Sequence, residues 1–140
     1  MAECIGALNG EEKVAIVDVD ETLYTNHAYT RFRSQKELAE AASILGVDPP
    51  TASAMITAKK EDLQRAVGRE VTRTETVCAL GITGAQWDEV RYRTWCPEQW
   101  LKPDPELCGV VQVFQIKTGT KVCFATNAPG EKGRKTLEII

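Results

Sequence analysis

Asp18 and Asp20 lie two residues apart at the end of the apolar run Val14-Ala15-Ile16-Val17, and Thr22, Leu23 and Tyr24 follow them. The Val and Ile content of that run predicts a strand buried on both faces. Strand side chains alternate with a period of two, so both carboxylates point to one side. Two like charges at the mouth of a buried strand repel unless something neutralises them. A divalent cation, a phosphate chemistry, or both supply that compensation. An Asp-x-Asp pair alone is a weak signal, since strands end in Asp for ordinary reasons. The attached strand, Thr22 and Leu23-Tyr24 make this pair more specific.

A second apolar run, Lys121-Val122-Cys123-Phe124-Ala125, ends in Thr126-Asn127. A threonine hydroxyl and a backbone amide at a strand end can bind a phosphoryl oxygen, and a helix starting near Pro129-Gly130 adds its N-terminal field. The same residues also make an ordinary turn and helix start. Other side chains carry less. Lys132, Arg134 and Lys135 read as the solvated face of a helix. Trp87, Trp95 and Trp100 read as core of a small helical layer rather than as a substrate wall. His27 is the one histidine, which argues against a zinc site and fits a surface position.

Together these two stretches resemble the first and second motifs of the haloacid dehalogenase superfamily, most of whose members are phosphatases. The first motif is a hydrophobic strand followed by Asp-x-Asp-x-Thr/Val, and Asp18, Asp20, Thr22, Leu23 and Tyr24 match it. The second is a strand ending in Thr-Asn, matched by Thr126 and Asn127. The spacing is similar to the pyrimidine 5′-nucleotidase-like branch, which implies a nucleotide or other small phosphorylated substrate. The resemblance implies that Asp18 is the nucleophile and Asp20 the general acid and base. Thr126 and Asn127 then bind the substrate phosphate, and Mg²⁺ is held by Asp18 and Asp20, the latter through its backbone carbonyl.

With 17 basic against 20 acidic residues the net charge is −3, which gives no electrostatic case for nucleic acid. No apolar stretch approaches the length of a membrane span. The start of the chain has neither the basic residues nor the apolar length of a secretory signal. Cys4, Cys78, Cys96, Cys108 and Cys123 are odd in number and form no Cys-x-x-Cys. They predict reduced, mostly buried thiols and a cytoplasmic setting. Nothing in the sequence sets an oligomeric state.

The elements that must position these residues follow from helix punctuation. Ser34 with Glu37 forms a capping-box pattern, predicting a helix start there, with Leu38, Ala41, Ala42 and Leu45 at helical spacing and a stop at Gly46. Asp48-Pro49-Pro50 opens a second helix bearing Ala52, Met55, Ile56, Leu63, Ala66 and Val67, ended by Gly68. A third spans about 69–80. Thr83 with Gln86 is another capping box, opening a helix with Trp87 and Val90. Residues 97–105 form a connector, and Asp104-Pro105 starts a helix that carries Leu107, Val110, Val111, Val113 and Phe114 and runs to Gly119.

The resulting class is α/β. The resemblance implies a partial Rossmann-like core of parallel strands from 1–27 and 102–140, with an α-helical cap inserted over 28–101 and reached through a turn at 21–26. A strand–crossover–strand connection predicts a parallel pair. Such sheets bind ligands beyond the carboxyl ends of their strands, where Asp18, Asp20, Thr126 and Asn127 are expected to converge.

The family's later lysine and acidic pair have no counterpart here, since Lys102 precedes the second motif. The sequence ends on Ile139-Ile140 in an apolar helix, and two strands bury little core. The expectation is a C-terminally truncated chain with at most traces of activity. Two alternatives stay open. One is a non-catalytic remnant whose helices bind a partner. The other is a phosphomutase, although those relatives carry Gly where Glu21 stands. Dehalogenation is disfavoured, because relatives with that activity lack the second acid.

Overall fold

A computed structural model describes residues 13–140. In chain order these form β1 (Val14–Asp18), α1 (His27–Leu45), α2 (Pro49–Val67), α3 (Arg73–Ala79), α4 (Gly84–Thr94), a 3₁₀ turn (Pro97–Gln99), α5 (Pro105–Thr118), β2 (Lys121–Ala125) and α6 (Gly130–Ile139). The class is mixed α/β, mostly helical, with a parallel sheet that has two strands among the described residues. Among the described residues, 13–26 together with Pro97–Ile140 make one compact unit, and His27–Cys96 make the other.

Local side-chain chemistry sets most helix ends. Asp48 Oδ1 accepts from the Thr51 amide at 3.0 Å, and Pro49 occupies a first-turn position where no amide proton is needed. Thr83 and Gln86 close a reciprocal box, Thr83 N donating to Gln86 Oε1 at 2.9 Å and Gln86 N to Thr83 Oγ1 at 3.2 Å. Thr72 and Glu75 do the same at the start of α3. Asp104 Oδ1 accepts from the Leu107 amide at 3.0 Å. Each such cap stabilises its helix by about 1 kcal/mol. Gly68, with φ of 68°, and Gly119, with φ of 62°, end α2 and α5 in the left-handed region that a Cβ disfavours.

The Ser34–Glu37 box is not a helix start. Helix α1 already begins at His27, and Ser34 lies in its interior. Packing upstream of Ser34 overrides the local pattern. Tyr29 is buried, and the Arg33 guanidinium lies 4.1 Å from the centre of the Trp95 ring and 5.4 Å from that of Tyr29. Glu37 accepts from Arg73 Nη1 at 3.0 Å, tying α1 to α3. The α3 helix is shorter than the expected 69–80 because its true box begins at Thr72.

In the helical unit, Ala41, Val77, Ile82, Trp87 and Val90 form the buried cluster, with Leu45 and Ile56 packed against it. Trp87 and Trp95 are core residues there. In the other unit β1 and β2 pair in parallel, in the register Val14↔Lys121 through Asp18↔Ala125. The ladder extends one step at each end, Lys121 N donating to Lys13 O at 2.8 Å and Val19 N to Ala125 O at 3.1 Å. The long helical connection between the strands supplies the crossover that parallel pairing requires.

Two burial expectations are overturned. Strand β1 is not covered on both faces: Val19, just past its end, is fully buried, but Ile16 is 74% exposed. Residues in register share a face, so Ile16 and Cys123 lie on one side of the pair and Val17 and Phe124 on the other. Among the described residues no further layer covers the Ile16 side. Among the described residues the cysteines form no disulfide but are not mostly buried: Cys78 and Cys108 are exposed, Cys96 and Cys123 half-buried, and Cys4 lies outside the described residues. Cys108 sits on α5, which has no buried residue, so this helix hides none of its side chains fully. Among the described residues no helix is long and apolar enough to cross a membrane.

Candidate active site

Strand β1 ends at Asp18, and the chain then turns sharply. The amides of Thr22 and Leu23 both donate to the Val19 carbonyl, at 3.4 and 3.0 Å. Glu21 takes a positive φ of 60°, a conformation that costs a residue with a Cβ roughly 1–2 kcal/mol. This turn brings Tyr24 back beside Asp20, where the two form an isolated backbone bridge. Fully buried Val19 anchors the turn from within.

Each sequence-predicted residue can now be placed. Asp18 is exposed at the carboxyl end of β1 and accepts a long hydrogen bond from Thr22 Oγ1 at 3.4 Å. Asp20 is half-buried and accepts on both carboxylate oxygens. Thr126 Oγ1 donates to its Oδ2 at 2.9 Å, and the Tyr24 hydroxyl donates to its Oδ1. Thr126 Oγ1 in turn accepts from the Ala128 amide at 2.9 Å, which takes up one of the hydroxyl's two lone pairs while its proton goes to Asp20. Asn127 is exposed beside it, at the approach to α6. The α6 N-terminus carries no side-chain cap, so its first amides lie near the carboxyl end of β2 without a local acceptor of that kind.

The arrangement therefore joins Asp20 to Thr126 directly and places Asp18 at the same strand ends. The remaining basic candidates lie elsewhere. Lys135 Nζ is 3.5 Å from Glu98 Oε1, and Lys102 is exposed on the connector before α5. His27 is exposed at the first position of α1.

Sequence reasoning gave no role to Tyr24 or Gly133. A Cβ on Gly133 lands 2.7 Å from Thr126 Cγ2, closer than such atoms approach, so only glycine lets α6 lie against Thr126. The signal was available, because glycine inside a helix costs about 1 kcal/mol relative to alanine and so asks for a reason. Tyr24 offered a weaker signal, since its role depends on the turn at Glu21.

The Asp18 carboxylate and the Asp20 backbone carbonyl are hard oxygen donors, of the kind Mg²⁺ takes when it keeps several waters and shares a substrate phosphate. Asp18 and Asp20 fit that cation by donor chemistry. Among the described residues no group of three or more His, Cys, Asp or Glu side chains is placed to hold a metal ion.

Compared with known proteins, the chain matches no protein-family model, and no curated protein or solved structure is significantly similar to it.

Proposed function

We propose that this chain is a Mg²⁺-dependent phosphatase of the haloacid dehalogenase type, acting on small phosphate monoesters, nucleotides among them, through an aspartyl-phosphate. In this reading 1–27 and 102–140 form part of a Rossmann-like core, and 28–101 are its inserted helical cap. The observation that carries the proposal is the 2.9 Å hydrogen bond from Thr126 to Asp20, which sets the second motif's hydroxyl against the first motif's second acid. The parallel register supports it, because both strand ends then face the same edge, where α/β sheets bind ligands.

The chemistry balances with the residues named. An Asp18 oxygen bonds to phosphorus while the bond from phosphorus to the leaving oxygen breaks, and a proton on Asp20 passes to that oxygen. Asp20, now a carboxylate, takes a proton from water. The water oxygen bonds to phosphorus as the Asp18 oxygen departs, releasing inorganic phosphate and restoring both groups. Such acid–base assistance is worth roughly 10²–10⁴-fold in rate. Thr126 and the Asn127 amide hold phosphoryl oxygens. Mg²⁺, held by Asp18 and Asp20, supplies positive charge against the phosphoryl oxygens when bound.

The proposal rests on the two motifs that these 140 residues carry. The test is chemical. Incubation with acetyl phosphate and Mg²⁺ is expected to give a hydroxylamine-labile phosphoryl adduct, mapped by mass spectrometry to Asp18 and absent from Asp18→Asn. No adduct, or one on another residue, overturns the proposal.

A further inference from the structure

We infer that Tyr24 is a positioning residue that keeps Asp20 in place when the Thr126 hydroxyl turns from Asp20 to phosphate; this rests on the phosphatase reading above. Thr126 carries a single hydroxyl proton, which it gives to Asp20 Oδ2 at 2.9 Å. One of its lone pairs already accepts from the Ala128 amide at 2.9 Å. If Thr126 is to donate to a phosphoryl oxygen, it must release Asp20, because one proton cannot serve two acceptors. Asp20 then keeps the bond to its other carboxylate oxygen.

The donor of that bond is the Tyr24 hydroxyl, and the oxygen is Oδ1. The turn holds Tyr24 in position independently of Thr126. Its backbone bridges to Asp20, and the Val19 carbonyl gathers the Thr22 and Leu23 amides just before it. Oδ2 thereby gives up its bond from Thr126 as phosphate arrives, while Oδ1 stays tethered. The exchange leaves one oxygen of Asp20 available to take a proton from the attacking water. A carboxylate free to rotate about its side-chain torsions loses that alignment, and misplacement of a reacting group by about 1 Å can cost on the order of 10²-fold.

Acetyl phosphate separates the two halves of the reaction. Acetate leaves as an anion and takes no proton, so phosphorylation of Asp18 by this donor does not call on Asp20. Hydrolysis of the adduct does. The experiment compares wild-type chain with Tyr24→Phe, measuring the rate of adduct formation with acetyl phosphate and Mg²⁺ and then its decay after the donor is removed. The expected result is formation within about twofold of wild type and decay slowed by at least about tenfold, a fraction of the acid–base contribution. Asp20→Asn is the reference for complete loss of the second step. Unchanged decay in Tyr24→Phe overturns the inference and leaves the phosphatase reading standing. Formation and decay slowed together also overturn it, because the ring's hydroxyl then acts on the fold rather than on Asp20. Absence of any adduct on Asp18 in the wild-type chain overturns both.

Discussion

Thr126 donates its hydroxyl proton to Asp20 across 106 residues of sequence, at 2.9 Å. The same hydroxyl accepts from the Ala128 amide, so a single oxygen ties the end of β2 both to the turn after β1 and to the approach to α6. Replacing Thr126 with Val keeps the shape and removes both bonds. A hydrogen bond of this kind is worth about 0.5–1.5 kcal/mol net, so the variant is expected to lose about 1–2 kcal/mol in urea unfolding. Thr126→Ser keeps the oxygen and should retain most of that. Equal stability of the Val and Ser variants would show that the methyl, not the hydroxyl, matters at this position.

Gly133 tests the same contact from the helix side. At an open helical position alanine gains about 1 kcal/mol over glycine. Here the new Cβ meets Thr126 Cγ2 at 2.7 Å, and the cheapest relief is rotation of Thr126, which swings Oγ1 off Asp20. Gly133→Ala is therefore expected to gain nothing or to destabilise. In a Thr126→Ser background the clashing methyl is gone, and the alanine should recover its gain of about 1 kcal/mol. A double-mutant cycle by chemical denaturation measures this coupling. A cycle that closes to zero removes the close approach as the reason for the glycine.

The start of α3 predicts an acid dependence. Glu75 accepts from Arg69 Nη2 at 2.6 Å and from the Thr72 amide at 2.7 Å. The Arg69 hydrogen bond first, and then those with Thr72, hold its carboxyl down from 4.5 to about 2. Because the folded value lies below the unfolded one, the unfolded chain takes up the proton first as pH falls. The stabilisation is complete above about 4.5 and is lost as pH drops toward about 2. Glu75→Gln should be less stable than wild type near neutral pH, with the difference vanishing by the bottom of that window. Urea midpoints from far-ultraviolet circular dichroism across the range test it. A gap that stays constant with pH would locate the effect outside this carboxylate.

What the sequence made legible is what local chemistry decides. Asp48, Thr83 and Asp104 cap the helices they were expected to start, because a cap is a bond between residues three apart. Gly68 and Gly119 end theirs for an equally local reason. The parallel pairing was expected from a connection long enough for a crossover. Ser34 misled because its box is complete in sequence, while Arg33 and Glu37 spend their side chains on distant partners, Trp95 and Arg73. Tyr24 went unassigned because its contact with Asp20 exists only once Glu21 has turned the chain. The strand ends bring Asp20 and Thr126 together, yet the hydrogen bond between them depends on Gly133, whose reason lies in tertiary packing.

Burial of β1 is the expectation that failed most plainly, and it yields a direct test within one strand and its extension. A Val/Ile run records that a segment prefers an extended, covered backbone, but coverage itself comes from layers elsewhere. Ile16 is 74% exposed, whereas Val19, three residues on, has none of its surface exposed. Replacing Ile16 with Thr keeps the β-branch and removes little buried surface, so stability should change by less than about 0.5 kcal/mol. Val19→Ala removes two fully buried methyl-sized groups and leaves a void under the turn that carries Asp20, costing about 2 kcal/mol. Urea unfolding of both variants measures the contrast. Similar costs at the two positions would mean that the Ile16 face is covered in solution, by a second copy of the chain or by another surface, and a concentration-dependent midpoint for the wild type would identify the former.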